Sequence, residues 1–513
     1  MSDSDEKLQE LIKAVQEISP QLANSWQATA IIESLGYTDR IIKAEFGFDN
    51  ARDMGQYIYE SLSKSPVPPK PPKKVKFWKN IFDEIRTFID EFSQSFVYAI
   101  PLILMLIMEY LDIGEKKDLL PPQLASLFTI VTVASLTTTG GFVQMISRRG
   151  RFYIALGEIR QAQRVSASLL YLGSITTIFL GFLGLWFNFY RSLFADQYIV
   201  IAIFYYVILS ILWMLLAVLS IQLRWNGPLV LIGLSVFFVF LRLQLGLGTL
   251  VAQIWAMFVS LLVVIALVLF WFIKYRNADS DSPVKLPRLS AVVYLMSPYF
   301  GYGLAYFSFI FADRIVAGLA INPASGLLFA IDSNYQKGMD LALLNFLLLV
   351  PLVEYLGYIF IRYWYSKAKI LTVDNLVKFS SNLYSRYGLA LISTVIFFGL
   401  SVFLTVGILK PDDWERQETI LALLGCLGYL FFVIGLFNGL ILFSLNQGVA
   451  VCRILIIALI VNLTVGYIFA NTLSVFWASL GLIFGGFCFM ILSARKVVHS
   501  IKKPDYAYYI GGY

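Results

Sequence analysis

From residue 94 onward the chain is a succession of apolar runs, separated by short polar breaks. Each run is long enough to cross a bilayer, because about 20 consecutive apolar residues make a spanning α-helix. Lipid offers no hydrogen bonds, so a spanning segment must satisfy its own backbone, and a single run of this length can do so only as a helix. The runs lie near residues 94–113, 123–146, 167–190, 198–221, 228–246, 248–274, 289–312, 340–361, 387–409, 419–444, 449–470 and 473–493. The sequence therefore predicts an all-α polytopic membrane protein of about twelve transmembrane helices. The fifth and sixth runs are one apolar stretch too long for a single span, and a tight turn is expected at Arg242 to Gly248. Composition agrees: 58% of residues are hydrophobic and 14% charged, whereas soluble domains run at roughly 45–50% and about 25%.

The same composition excludes several function classes. The net charge of +7 reads as the surplus of Lys and Arg on cytoplasmic loops, not as a nucleic-acid footprint. The only histidine is His499, and Cys426, Cys452 and Cys488 all lie in apolar runs. A His-based catalytic or metal cluster, a zinc site and a disulfide framework are thereby unexpected. No GxxxxGK[ST] pattern occurs, so ATP binding by a P-loop is not expected. No cofactor, metal or enzymatic activity is expected.

The polar N-terminus, MSDSDEKLQE, has no apolar signal-peptide core. Residues 1–66 read as a small cytoplasmic helical module, with apolar residues at Leu8, Leu11, Ile12, Val15 and Ile18 in helical spacing. A second helix is expected from Trp26 to Leu35, ending at Gly36, and a third after Asn50, with a capped turn between them. Residues 67–93 combine a Pro/Lys linker with an amphipathic, Phe-rich interfacial helix.

Basic residues alternate along the loops. Arg148, Arg149, Arg151, Arg160 and Arg164 follow the second run, and Lys274, Arg276, Lys285 and Arg288 the sixth. Further basic groups follow the eighth run and fill the C-terminal tail, while the opposite loops are poor in them. This places both termini in the cytoplasm of a bacterial-type inner membrane. Long and short basic loops also recur in the same order in the two halves. The pattern divides the chain into a first six-helix bundle at 94–274, a cytoplasmic linker at 275–288, a second bundle at 289–495 and a tail at 496–513. Two halves of like orientation commonly enclose a midplane cavity and work by alternating access.

The segment Ser297-Pro298-Tyr299-Phe300-Gly301-Tyr302-Gly303-Leu304-Ala305-Tyr306-Phe307-Ser308-Phe309-Ile310-Phe311-Ala312-Asp313-Arg314 resembles a signature of the Pel exopolysaccharide transport subunit (PelG-like) family. That family falls within the multidrug/oligosaccharidyl-lipid/polysaccharide (MOP) flippase superfamily. Thr139-Gly140-Gly141-Phe142-Val143, followed by arginines, is also similar. The resemblance covers residues 90–495 in topology and is motif-specific only near 297–314; the module at 1–66 is not part of the family core. It implies two six-helix bundles around a central cavity and transport of a polysaccharide or lipid-linked saccharide. Membrane lipids, the saccharide and a polysaccharide synthase complex are the partners it suggests.

Ionisable groups inside a span are costly and point to function. Glu354, about 12 Å along its helix from Arg362, is either a cavity acid for a proton, a cation or sugar hydroxyls, or a paired structural acid. Asp313 and Arg314 are expected at the outer face, as a gate or an interfacial pair. Glu109 mirrors them at the outer end of the first span, and Arg242 marks a turn or a cavity. Tyr299, Tyr302 and Tyr306 share a helix face by their i, i+3, i+7 spacing, suited either to sugar stacking or to packing. Pro101, Pro298, Gly301, Gly303 and Pro351 are candidate hinges. Asn345, Asn438 and Asn462 read as interhelical glue. The readings left open are a saccharide exporter, an ion-coupled small-molecule exporter of the same fold, and a scaffold of a polysaccharide-export complex. The longest outer loop, expected at 313–339, lacks the paired acids a glycosyltransferase needs.

Overall fold

The structure is a computed structural model describing residues 3–19, 22, 24–63, 85–89, 92–93, 100, 103, 122–191, 194–222, 225–275, 289–320, 332–368, 375–408, 410 and 416–511. It forms two compact units. The smaller comprises residues 1–85 with 366–379, the larger residues 86–365 with 380–513.

The smaller unit carries four short helices: α1 (Asp3–Ile18), α2 (Ser25–Ser34), α3 (Asp39–Glu45) and α4 (Ala51–Ser63). Leu11, Val15, Ile31, Ile32, Ile42, Met54 and Ile58 form its core. Asn24 caps α2 by accepting from the Gln27 amide at 2.9 Å. Gly36, at φ 90°, ends that helix in the left-handed conformation. The turn expected at 36–39 is present, and α3, which the sequence reading did not include, follows it; its Asp39 accepts from the Ala51 amide at 2.7 Å and so ties α3 to the start of α4.

The larger unit holds eleven helices long and apolar enough to cross a membrane, among the described residues. They match the second to twelfth expected spans, so the chain is a multi-pass membrane protein. In order they are α5 (Pro122–Ala155), α6 (Ile159–Arg191), α7 (Asp196–Gln222), α8 (Asn226–Leu243), α9 (Thr249–Lys274), α10 (Leu289–Ala320), α11 (Ser333–Ala368), α12 (Leu376–Val402, continued by a π turn to Ile408), α13 (Arg416–Ser444), α14 (Gly448–Thr472) and α15 (Ser479–Lys502). A terminal helix, α16 (Pro504–Gly511), follows. Pro101, Glu109 and the rest of the first expected span apart from residues 100 and 103, the Pro/Lys linker that begins at 67, and the cytoplasmic linker after residue 275 lie outside the described residues.

Two bundles result. In the first, α7 packs on α5, α6 and α9, with Phe142, Ile146, Leu212, Leu215 and Val218 among its core. In the second, α15 packs on α13 and α14, and α14 on α10. Small residues set these distances, as expected where apolar lipid gives helices no hydrophobic reason to associate. A Cβ on Gly481 of α15 would lie 2.3 Å from the Asn462 carbonyl oxygen of α14. Asn462 donates to the Phe309 carbonyl at 3.1 Å, and Asn438 bonds Tyr387 at 2.7 Å and Ser493 at 3.0 Å. These two amides join neighbouring helices, as their sequence positions suggest. Outward-facing Phe179, Phe182, Trp186 and Phe189 of α6 are exposed, and in a membrane they meet lipid.

The fifth and sixth spans separate where expected. Gly246, at φ 61°, makes the turn, and Arg242 donates to the Leu247 carbonyl at 2.8 Å. Two other boundaries move. The basic stretch after the second run is not a loop: α5 continues through Arg148, Arg149 and Arg151 to Ala155. The expected outer loop at 313–339 shortens likewise, because α10 runs on to Ala320 and α11 starts at Ser333. In both places charge ends the hydropathy signal while backbone hydrogen bonding continues.

Candidate functional site

The bundles touch where α5 crosses α10. A Cβ on Gly303 would lie 2.3 Å from the Gly140 carbonyl oxygen, and one on Gly140 would lie 2.4 Å from the Phe307 ring. Only residues without side chains allow this approach. Phe142 of α5 meets Phe300 of α10 edge-on at 5.2 Å beside it. Close packing thus accounts for Gly303, and also for Gly301, where a Cβ would approach the Cys452 sulfur to 2.9 Å.

On one side of this crossing the bundles part. A cavity of about 630 Å³ opens between α5 of the first bundle and α10, α11 and α13 of the second. Helical periodicity aims one stripe of each helix into it. From α5 come Gln144, Ser147, Arg148 and Arg151, spaced i, i+3, i+4, i+7. From α10 come Tyr299, Tyr302 and Tyr306; from α11, Val350, Val353 and Glu354; from α13, Val433, Leu436, Leu440 and Phe443.

The wall is aromatic and connected. Tyr299 stacks on Phe443 at 5.5 Å and Tyr302 meets the same ring edge-on at 4.8 Å. Tyr306 lies 5.9 Å from Tyr302 and 5.7 Å from Phe432. The Arg148 guanidinium sits 5.0 Å from the Tyr299 ring centroid and donates to the Phe443 carbonyl at 3.4 Å. That bond links the two bundles across the mouth. Arg148 and Arg151 face one carboxylate, Glu354, so the charged lining is net positive.

Farther along the second bundle lies a buried polar cluster. Asp313 and Arg314, about 12 Å along α10 beyond Tyr306, are 0% and 7% exposed. Arg314 donates to Asp340 of α11 at 2.7 Å, and Tyr335 donates to Asp313 at 3.1 Å. Tyr429 of α13 closes the cluster by donating to the Ile310 carbonyl at 3.2 Å. A space of about 20 Å³ lies beside Arg314, Tyr335 and Gln336, room for about one water.

The sequence candidates therefore separate. Tyr299, Tyr302, Tyr306 and Glu354 converge on one cavity. Asp313 and Arg314 are not loop residues; they lie within α10 and are buried, away from the cavity, because Asp340 and Tyr335 supply partners that hydropathy cannot show. Arg242 belongs to the α8–α9 turn and does not line the cavity. Pro298 and Pro351 sit inside continuous helices. Sequence reasoning missed Gln144, Ser147, Arg148, Arg151 and Phe443 as cavity residues, and Tyr335, Asp340 and Tyr429 as partners of the buried pair. The polar i, i+3, i+4, i+7 pattern ending the second run was the available signal for the α5 stripe. Among the described residues no group of three or more His, Cys, Asp or Glu side chains is placed to hold a metal.

No protein-family model and no curated sequence matches the chain. Solved structures do. The eukaryotic MATE transporter AtDTX14 superposes with a TM-score of 0.54 at 14% identity, covering 84% of this chain and 99% of that one. A MOP superfamily transporter from Pyrococcus furiosus, described as having a binding pocket of reversed polarity, gives 0.53 at 15% identity, covering 82% and 96%. A MATE in complex with Br-NRF gives 0.52 at 14% identity, covering 82% and 97%. This chain shares with them the MATE-like fold of two helical bundles.

Proposed function

We propose that this protein is a membrane transporter that moves an anionic saccharide, either a polysaccharide or a lipid-linked oligosaccharide, outward by alternating access. The observation that carries the reading is the cavity between the bundles, walled by Arg148, Arg151 and three tyrosines; in this reading the buried Arg314–Asp340 pair farther along α10 is the closed outer gate. Guanidinium groups bind phosphate and carboxylate in charge-assisted, often bidentate geometry. Tyrosine offers a flat apolar face to a sugar ring and a hydroxyl to its oxygens. A volume of about 630 Å³ lies within the usual range for ligand sites, about 300–1,000 Å³. By the Lys/Arg bias the open end faces the cytoplasm, so this state is ready to load. Release requires the α5–α10 crossing at Gly140 and Gly303 to rock, with Pro298 softening α10. The PelG-like resemblance of 297–314 falls on the tyrosine wall.

A second reading, an ion-coupled small-molecule exporter, draws on Glu354 in the same cavity and on the fold shared with a MATE that binds Br-NRF. One experiment separates them. Arg148→Gln/Arg151→Gln and Glu354→Gln variants, matched for membrane abundance, are assayed for surface saccharide and for proton- or sodium-driven efflux of a cationic dye. The saccharide reading expects the arginine variant to lose saccharide export. Normal export from that variant, with dye efflux abolished by Glu354→Gln, transfers the assignment to the small-molecule exporter.

A further inference from the structure

A second cavity, of about 420 Å³, lies at the ends of α14, α15 and α16, apart from the central one. It is cationic by construction. Lys496 and His499 lie one turn apart at the end of α15, and Lys503 is the residue that caps it. Arg453 joins them from the second turn of α14, and α16, folding back at Pro504, adds Tyr506. The fold-back is pinned where Trp364 donates to the Pro504 carbonyl at 3.4 Å. No carboxylate lines the cavity, and among the described residues none of Arg453, Lys496 and Lys503 is ion-paired. Gln447 adds a further unmet demand. Its amide nitrogen donates to Ser500 at 3.2 Å, while its buried Oε1 has no hydrogen-bond partner.

Three unpaired cations and an orphan acceptor suit a phosphate group that also carries hydroxyls. A free phosphate and a lipid headgroup share that chemistry, but the surface beside the pocket favours the lipid. Val449, Ile456 and Ile460 lie on the same face of α14 as Arg453, and all three are 41–55% exposed. The pocket thus heads an apolar stripe on the outside of the bundle. Basic pockets between helices at the cytoplasmic side of a membrane bind anionic headgroups by this arrangement.

We propose that this pocket binds one anionic phospholipid, its phosphate held by Arg453, Lys496 and Lys503, a headgroup hydroxyl given to Gln447, and an acyl chain laid along Val449 to Ile460. The site is independent of the transport reading; it needs only the membrane. Occupancy would brace α14 against α15 and α16.

The test is native mass spectrometry of the full-length protein in detergent, titrated with dioleoylphosphatidylglycerol, with dioleoylphosphatidylcholine and inorganic phosphate as the comparison arms. One retained phosphatidylglycerol is expected, in clear preference to phosphatidylcholine and undisturbed by millimolar phosphate. Each cation near an anionic surface contributes about fivefold, so Arg453→Gln/Lys496→Gln/Lys503→Gln should weaken binding on the order of 100-fold. Lys337→Gln/Arg416→Gln, remote from the pocket, should leave it unchanged. All three pocket cations are exposed, so the triple variant is expected to fold; Lys496→Gln alone, at about fivefold, provides a milder check. Equal retention of phosphatidylcholine, full competition by inorganic phosphate, or unchanged binding by the triple variant would each overturn the proposal.

Discussion

Asp340→Asn tests whether the Arg314–Asp340 pair closes the far end of the bundle. The change preserves shape and removes the charge that Arg314 contacts at 2.7 Å. Arg314 is 7% exposed but Asp340 30%; breaking a fully buried pair by losing one partner costs about 3–5 kcal/mol, because the remaining charge stays dehydrated and uncompensated, so this half-buried pair lies at or below the lower end. Asp313, adjacent in α10 and fully buried, offsets part of that loss, so the lower figure applies. The cost falls only on conformations that bury Arg314. States that hydrate it gain by about 3 kcal/mol, roughly 150-fold in population. The assay is labelling of a single cysteine placed at Ala317, which borders the small space beside Arg314. Cys426, Cys452 and Cys488 are first replaced, and a membrane-impermeant maleimide is applied from the sealed side. Wild type should react slowly and Asp340→Asn faster, by up to about 150-fold. Asp313→Asn/Arg314→Met/Asp340→Leu removes all three charges of the cluster together and should return the rate towards wild type, since replacing a whole buried ionic group by uncharged ones is nearly neutral or stabilising. Wild-type labelling by folded Asp340→Asn, or labelling by the triple variant as fast as by the single one, would refute the idea that this pair closes the end.

Two other perturbations probe the helix contacts. Gly303→Ala puts a methyl group 2.3 Å from the Gly140 carbonyl oxygen, so α5 and α10 must separate; overpacking of this kind costs about 1–3 kcal/mol. A lower thermal midpoint in detergent is expected, and an unchanged one would argue against the crossing. Asn438→Ala removes the bonds to Tyr387 and Ser493 and should cost about 1 kcal/mol, measured as a shift in steric-trap or denaturant unfolding of the reconstituted protein.

Much of the architecture was legible before any coordinates. Apolar runs long enough to span lipid can satisfy their backbone only as helices, so the spans, and even the split at Arg242 to Gly248, follow from local sequence. The shared face of Tyr299, Tyr302 and Tyr306 was equally visible, being a matter of helical period. What those tyrosines face was not, because Phe443 lies more than a hundred residues away and meets them only through the packing of α13 on α10. Hydropathy misread two places for one reason: it stops where charge begins, while a helix stops where its hydrogen bonds stop. Arg148 and Arg151 were therefore expected in a loop, where the structure puts them on a cavity wall, and Asp313 and Arg314 as a gate or interfacial pair at the end of a span, where the structure buries them within α10. Local sequence sets which segments are helical and which face of each is polar, since both depend on near neighbours along the chain. Whether a polar face meets water, lipid or a partner charge depends on which helices stand beside it, and that was decided by tertiary packing: the glycine-allowed approach of α5 to α10, and the arrival of Asp340 and Tyr335 beside a pair that could not otherwise be buried.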